Sequence, residues 1–384
     1  MFSGVIGCAV LRLSRRKVRL NLEFEQPYPN AIMKILILGG TSFLGPAIVQ
    51  SATARGWTVT LFNRGKTNPG MFKDIEQIHG DRDPDKAPGL EPLAAAIRGG
   101  RTWDAVIDTS AFVPRITRAS AELLKPAARQ YILVTTLNVY ADPLPVHADE
   151  SAPLAADPQV IDEKLSNETY GPLKAACERA LTAVYAERAT MLRPGLIVGP
   201  GDPTDRFTYW PARLQRGGEV LIPNSKNPWG SETSFIDARD LADFACVCAQ
   251  NGHGGAFNCA GPDGTLTFDG FVFGCRGAFG NHVEFVPADD DWLLEQQVQP
   301  WMGMPLWIPA SMAAEAPMGG INRRKAIEQG LKFRPLAQTA RDTADWFLKT
   351  KPDFDFGAKP GAPGISRARE AELIAAWKAH SKLK

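Results

Sequence analysis

Residues 34–38, Lys-Ile-Leu-Ile-Leu, run straight into Gly39-Gly40-Thr41-Ser42-Phe43-Leu44-Gly45, and a helical pattern follows over 45–55. A short apolar run bounded by glycines suits a strand buried on both faces, as in a parallel sheet. Strand, glycine loop and helix in that order are the setting in which a glycine motif carries meaning. Gly39 permits a tight turn, the small Ser42 lets a pyrophosphate approach the main chain, and Gly45 lets the helix pack closely on the strand. The unpaired N–H groups at the helix start attract negative charge. Gly39, Thr41, Ser42, Phe43, Leu44 and Gly45 are therefore candidate dinucleotide contacts. A glycine turn in an α/β protein without a nucleotide is the competing reading.

The rhythm begun at Lys34 continues. Residues 57–62, 104–108, 131–135 and 190–192 read as strands; 116–129, 172–187 and 236–250 read as helices. Strands alternating with helices predict a Rossmann-type α/β fold, a doubly wound parallel sheet with right-handed crossovers. Beyond about residue 195, Gly, Pro and Trp become frequent, and a smaller C-terminal substrate lobe is expected there. Residues 322–349 read as two short helices around Phe333-Arg334-Pro335, and 366–382 as an amphipathic peripheral helix. The expected organisation is an extension at 1–32, a dinucleotide-binding domain at 33–195, a substrate lobe at 196–350 with segments returning to the first domain, and a tail at 351–384.

Composition removes several classes. A net charge of +1 over 384 residues argues against a strongly basic nucleic-acid surface, leaving only local patches. The six cysteines form no CxxC pair and no metal-ligand spacing, so no metal is expected, and Cys246 and Cys248 read as a buried reduced pair. No apolar run reaches the ~20 residues that cross a bilayer. In residues 1–32 an apolar patch precedes a basic one, the reverse of a signal peptide, so a cytoplasmic protein is expected. Met33 stands directly before the first strand and could itself be the start.

Where nucleotide folds usually carry an acid after the second strand, this chain has Asn63-Arg64-Gly65-Lys66. A carboxylate there would repel a 2′-phosphate, whereas Arg64 and Lys66 would attract one. NADP(H) is favoured over NAD(H), unless both cations are ordinary solvated loop residues. Asp81 either contacts the adenine or caps its own turn. Its neighbour Arg82, and Ser110 beyond the strand at 104–108, are further candidate cofactor contacts.

Strand 131–135 leads to Thr136, and Tyr170-Gly171-Pro172-Leu173-Lys174 opens a helix. Four residues make one turn, so Tyr170 and Lys174 share a face. A phenol normally titrates near ~10. An adjacent ammonium would lower that value and make Tyr170 a usable acid/base. Lys174 would also hold a nicotinamide ribose, and Thr136 would orient the substrate oxygen.

These residues together resemble the extended short-chain dehydrogenase/reductases, the NAD-dependent epimerase/dehydratase family. Its carriers span about 34–348: GGTSFLG, the strand before TTLNVY, YGPLK, LRPGLIVGPGD at 192–202, SFIDARDLA at 234–242 and FNCAGP at 257–262. The resemblance implies that Arg193, Pro194 and Gly195 lie beside the nicotinamide, that Phe235–Leu241 shapes the substrate lobe, and that the substrate is a small sugar-like molecule. A homodimer is compatible with it. Two departures stand out. Ser42 replaces the loop's middle glycine, and the loop with LFNRGK is similar to a branch containing chloroplast stem-loop-binding proteins. Leu137-Asn138 replaces the Asp-Glu pair of sugar dehydratases, which removes the usual acid and base for eliminating water. The aromatics Tyr209, Trp210 and Trp229 are either ring-stacking residues or core.

Overall fold

In the computed structural model, residues 32–157, 163–224, 232–315, 320–359 and 361–382 are described. The extension at 1–32, apart from Ile32, and Trp229 lie outside them. Strand β1 (Lys34–Leu38) is central: Ile35 and Ile37 point into one hydrophobic core, Leu36 and Leu38 into another. That two-sided burial is why the strand reads as an unbroken apolar run. Strands β2 (Thr58–Asn63), β3 (Glu76–His79), β4 (Trp103–Asp108), β5 (Ala128–Val134) and β6 (Ala189–Pro194) join it. After β7 (Leu196–Val198), β8 (Gly218–Asn224) and β9 (Phe235–Asp237), which pair elsewhere, β10 (Gly255–Cys259) returns to flank β6. The seven-stranded sheet has the order β10-β6-β5-β4-β1-β2-β3, with every pairing parallel. The expected Rossmann-type sheet is thus present.

The helices, in chain order, are α1 (Leu44–Ala54), α2 (Glu91–Arg98), α3 (Pro114–Leu124), α4 (Asn167–Tyr185), α5 (Tyr209–Arg216), α6 (Ala238–Asn251), α7 (Phe268–Arg276), α8 (Asp290–Glu295), α9 (Arg324–Glu328), α10 (Leu336–Thr350) and α11 (Arg367–Ser381). α1 packs with α6 on one face of the sheet, and α3 with α4 on the other. Pro126 explains why α3 stops at Leu124, short of the expected 129: Lys125 still has helical geometry, but the proline has no N–H to donate back to the Glu122 carbonyl. α4 begins five residues before the expected position, because Ser166 and Thr169 form a reciprocal capping box. Pro172 consequently lies in the second turn, not the first, and the carbonyl of Glu168 loses its helical N–H partner.

A second core gathers α5, α7, α10, α11 and the parallel pair β8–β11, the latter spanning Val283–Asp289. Tyr209 and Trp210 are buried inside it, and the Trp210 indole N–H donates to the Pro305 carbonyl at 2.7 Å. Those two aromatics are core. α11 is less peripheral than expected: Leu373 and Ile374 are buried, and Glu370 pairs with Arg213 at 2.6 Å with both side chains enclosed. Cys177, Cys246, Cys248, Cys259 and Cys275 are all buried and unbridged.

Candidate active site

Two clefts open at the carboxyl ends of the sheet strands, where an open α/β sheet places its ligands. The first, about 580 Å³, is walled by the loop after β1, Asn63–Thr67 after β2, Gly80–Asp83 after β3, and Thr109, Ser110 and Lys174. Its geometry fits a dinucleotide. Gly39 and Gly40 have φ of +110° and +98°, and a Cβ on Gly45 would stand 2.6 Å from the main chain of Gly40. Only glycine allows that helix-to-loop approach. α1 has no side-chain cap and no acid in its first turn; Gly45 donates its N–H to the Ser42 carbonyl at 2.9 Å and Pro46 has none, so the positive end of the helix dipole is what the loop offers an anion. Phe43 caps the helix with φ 44°, an uncommon conformation for a non-glycine residue, and its side chain divides the two clefts.

The predicted cofactor residues do not all serve alike. Arg64 and Lys66 are exposed on the cleft wall, and neither forms an ion pair with a described residue. Asn63 is held locally: its carbonyl oxygen accepts the Gly65 N–H at 2.8 Å and its amide donates to Gln77. Asp81 accepts the N–H of Asp83, so it caps its own turn while lining the cleft. Arg82 reaches the wall, but its guanidinium is committed to Asp108 at 2.7 Å, with further bonds to Ser110 and Ser120. Arg193 departs furthest from expectation. It lines neither cleft; it is buried against Glu178 at 2.7 Å and donates to the Tyr140 hydroxyl at 2.9 Å. Its guanidinium is an internal brace between β6 and α4. Pro194 and Gly195 do reach a cleft, the second one.

That second cleft, about 490 Å³, is bounded by Thr136 and Asn138 after β5, Asp202–Arg206 after β7, Glu232–Ser234 before β9, and Trp301. Phe43, Thr135, Tyr170 and Ile197 belong to both clefts, so Tyr170 stands where they meet. The helix bearing it approaches the chain after β5 very closely: a Cβ on Gly171 would lie 2.3 Å from the Asn138 carbonyl oxygen. Thr136, whose hydroxyl receives the Asn138 N–H at 3.3 Å, lines the second cleft together with Tyr170.

The electrostatics differ from the sequence expectation. Burial raises the Tyr170 phenol above its ordinary value; the nearby Thr136 hydroxyl and the charge of Arg206 oppose that rise without cancelling it. Lys174 does not lower it. The Lys174 ammonium donates to the carbonyls of Ala111 and Val134, each at 2.8 Å, and lies 5.0 Å from the Phe112 ring centroid. Burial pushes this amine down to about 8. Asp202, Arg206, Glu232 and Trp301 escaped the sequence reading because no spacing rule links loops so far apart. Their common signal is polar or aromatic residues in the glycine- and proline-rich segments after 195.

Asp237, in the expected Phe235–Leu241 segment, lies under the cleft. Buried, it pairs with Arg239 at 2.7 Å, lies 3.4 Å from the Arg334 guanidinium, and accepts from Thr339. It ties the start of α6 to α10 and so steadies Ser234 and its neighbours. Among the described residues no His, Cys, Asp and Glu cluster could hold a metal, and no helix is long and apolar enough to cross a membrane.

Comparison with known proteins agrees with this architecture. The chain is 26% identical over 264 residues to epimerase family protein SDR39U1 of Bos taurus, covering 66% of this chain and 83% of that protein. It is 28% identical over 265 residues to the chloroplast stem-loop binding protein of 41 kDa b of Arabidopsis thaliana, covering 64% of this chain and 63% of that one. Its fold matches the Thermus thermophilus UDP-glucose 4-epimerase, solved as a complex with NAD, with a TM-score of 0.54 at 18% identity over 82% of this chain and 99% of that chain. Residues 35–260, more than half of the sequence, match the model of one family, and the chain belongs to it: the NAD dependent epimerase/dehydratase family.

Proposed function

We propose that the protein is an NAD(P)-dependent oxidoreductase or epimerase that acts on a hydroxyl or keto carbon of a sugar-like substrate. The observation that carries this reading is the placement of Tyr170, with Thr136 in the same lining, at the junction of a dinucleotide-shaped cleft and a second, polar cleft. In the oxidising direction the Tyr170 phenolate takes the carbinol O–H proton while the C–H hydrogen leaves with its electron pair. In the reducing direction the phenol returns its proton to the carbonyl oxygen. A bound nicotinamide dinucleotide supplies the acceptor or donor of that hydrogen and its two electrons. Because burial keeps Tyr170 protonated at rest, the free protein is prepared to donate first. Thr136 orients the substrate oxygen. Lys174 has three donors, of which two are held by main-chain carbonyls, leaving one for a ribose hydroxyl.

NADP(H) is the favoured cofactor, because Arg64 and Lys66 stand unpaired on the first cleft wall where an acid is absent. The sugar-like substrate is supported by what lines the second cleft: Glu232 as an acceptor, the Thr204, Thr233 and Ser234 hydroxyls, and the Trp301 ring. The UDP-glucose substrate of the Thermus structural neighbour points the same way. The name of the Arabidopsis relative raises stem-loop binding as a rival, against which stands a net charge of +1. Screening nucleotide sugars and simple ketones, by nicotinamide absorbance and by chromatography of products, tests the proposal; chromatography is needed because an epimerase regenerates its cofactor each cycle. Turnover that survives Tyr170→Phe would refute it, and tight, strongly salt-dependent RNA binding without turnover would favour the rival.

A further inference from the structure

A third cavity, of about 620 Å³, adjoins the second cleft. Asn138, Trp301 and Ile308 line both, so the two meet along these three side chains. The cavity follows the start of α4, where Gly171 and Pro172, the two residues after Tyr170, form part of its wall. Much of the remaining wall is apolar, with Leu137, Leu144, Pro300 and Met312. Met312 is 38% exposed and Leu144 is half-buried, so folding leaves apolar surface uncovered on this wall. The polar side chains Asp142, Asn167 and Glu168 are exposed, and among the described lining residues there is no Lys, Arg or His. Two carboxylates without a cation repel an anion, so the cavity does not suit a phosphate or a carboxylate.

We infer that this cavity receives an uncharged, apolar arm of the substrate, carried on the sugar-like head that the second cleft holds. This rests on the second cleft being the substrate cleft of the proposed reaction. Continuity favours the substrate itself over a separate ligand, because the cavity begins one residue from Tyr170 and shares three side chains with the cleft. Trp301 is the sill between them. Its φ is +63°, a left-handed conformation uncommon for so bulky a residue, and its N–H donates to the Trp307 carbonyl at 2.9 Å. On the side of the second cleft, the Arg206 carbon Cζ lies 5.8 Å from the Trp301 ring centroid. A flat ring standing between a polar cleft and an apolar cavity lets one molecule change from polar head to apolar arm without stranding a polar group. Met312 serves such an arm, since its unbranched thioether chain repacks around groups of different width.

The experiment is isothermal titration calorimetry of the full chain, in excess NADP+, with methyl, propyl and hexyl β-D-glucosides. Full burial of one methylene raises affinity about fourfold, so the five methylenes that separate hexyl from methyl should together give about thirtyfold if each is half buried. Met312→Asp changes an exposed position and puts a charge into the cavity. It should cut hexyl glucoside binding by at least about tenfold and leave methyl glucoside within about twofold. Leu144→Asn should act in the same sense. A loss confined to the long chain separates the arm from mere loosening of the fold, which would weaken both ligands. Equal affinity for methyl and hexyl glucosides, equal losses of both in Met312→Asp, or no binding by any member of the series would each overturn the inference. Titration with n-hexanol distinguishes it from the reading on which it rests. If hexanol binds as tightly as hexyl glucoside and loses affinity in Met312→Asp, the sugar-like head fails and the apolar arm stands. If methyl glucoside binds and lengthening adds nothing, the arm fails and the sugar-like head stands.

Discussion

Gly171→Ala separates the seating of Tyr170 from the stability of the fold. The added methyl would stand 2.3 Å from the Asn138 carbonyl oxygen, 3.3 Å from its carbon and 3.6 Å from the Asn138 Cβ. Two of those atoms are main chain and cannot rotate away. Reaching an ordinary contact of about 3.4 Å requires roughly 1.1 Å of separation between α4 and the segment after β5. Further along α4, Lys174 is held to two carbonyls, and Cys177 and Leu181 are packed in the core, so the displacement falls mainly on the first two turns. There it pulls Tyr170 away from Thr136. Overpacking of this kind costs about 1–3 kcal/mol. Alanine returns about 0.8–1 kcal/mol through helix propensity. The net destabilisation is at most about 2 kcal/mol. At roughly 2.1 cal/mol/K per residue over ~350 residues, that is a fall in melting temperature of no more than about 3 °C. Misplacing a catalytic group by 1 Å can cost about 10²-fold in rate. The expected result is a kcat near one hundredth of wild type, with near-normal cofactor affinity and a small change in melting temperature. A variant with wild-type kcat would show that this close approach does not seat the tyrosine, and the logic of the site would have to be rebuilt.

Gly45→Ala should act on the other cleft: the 2.6 Å approach to Gly40 forces α1 back from the loop, and dinucleotide affinity, read by fluorescence titration, should fall at least about tenfold. Arg64→Glu should weaken NADP(H) binding far more than NAD(H) binding in the same titration; equal losses would remove the case for a 2′-phosphate contact. Lys174 should impose a pH dependence on cofactor affinity, because its charge is lost as pH rises through about 8. Wild-type affinity should decline between pH 7 and 9, and Lys174→Met should be weaker but flat over that window. Glu178→Ala leaves the buried Arg193 without its carboxylate and should lower stability by about 3–5 kcal/mol in denaturant unfolding, with no selective effect on cofactor specificity.

What the sequence disclosed and what it hid follow from the range of the forces involved. The sheet, the glycine loop and the Tyr170–Lys174 pair are set by local patterns: an apolar run, positive φ values, one helical turn. Each can be read within a dozen residues. Helix ends differ from expectation where a side-chain detail decides them, as with the Ser166–Thr169 box that starts α4 early and the proline that stops α3. The role of Arg193 differs for another reason. An arginine beside a cofactor and one buried against a glutamate look alike in sequence, and only the position of Glu178 on α4 distinguishes them. The same holds for Arg82, whose partner Asp108 ends a different strand.

The hidden part of the site is also its most electrically active part, and this has a physical cause. A doubly wound sheet offers backbone N–H groups and helix ends toward an anion, so it can hold a dinucleotide with few side chains. It offers little to distinguish one carbonyl substrate from another. The polar groups of the second cleft therefore come from connections whose length and path the sheet does not dictate: Asp202–Arg206 after β7, Glu232–Ser234 before β9, and Trp301. Their placement depends on ties made much later in the chain. Asp205 is ion-paired to Lys351, fixing the loop that carries Arg206 to the end of α10, while Asp237 joins the start of α6 to Thr339 in the same helix. α10 thus anchors both loops that line the second cleft. Lys351→Ala should consequently loosen the Asp202–Arg206 loop and raise KM for a confirmed substrate several-fold, with cofactor affinity unchanged. An unchanged KM would show that the loop is held by its own turns instead.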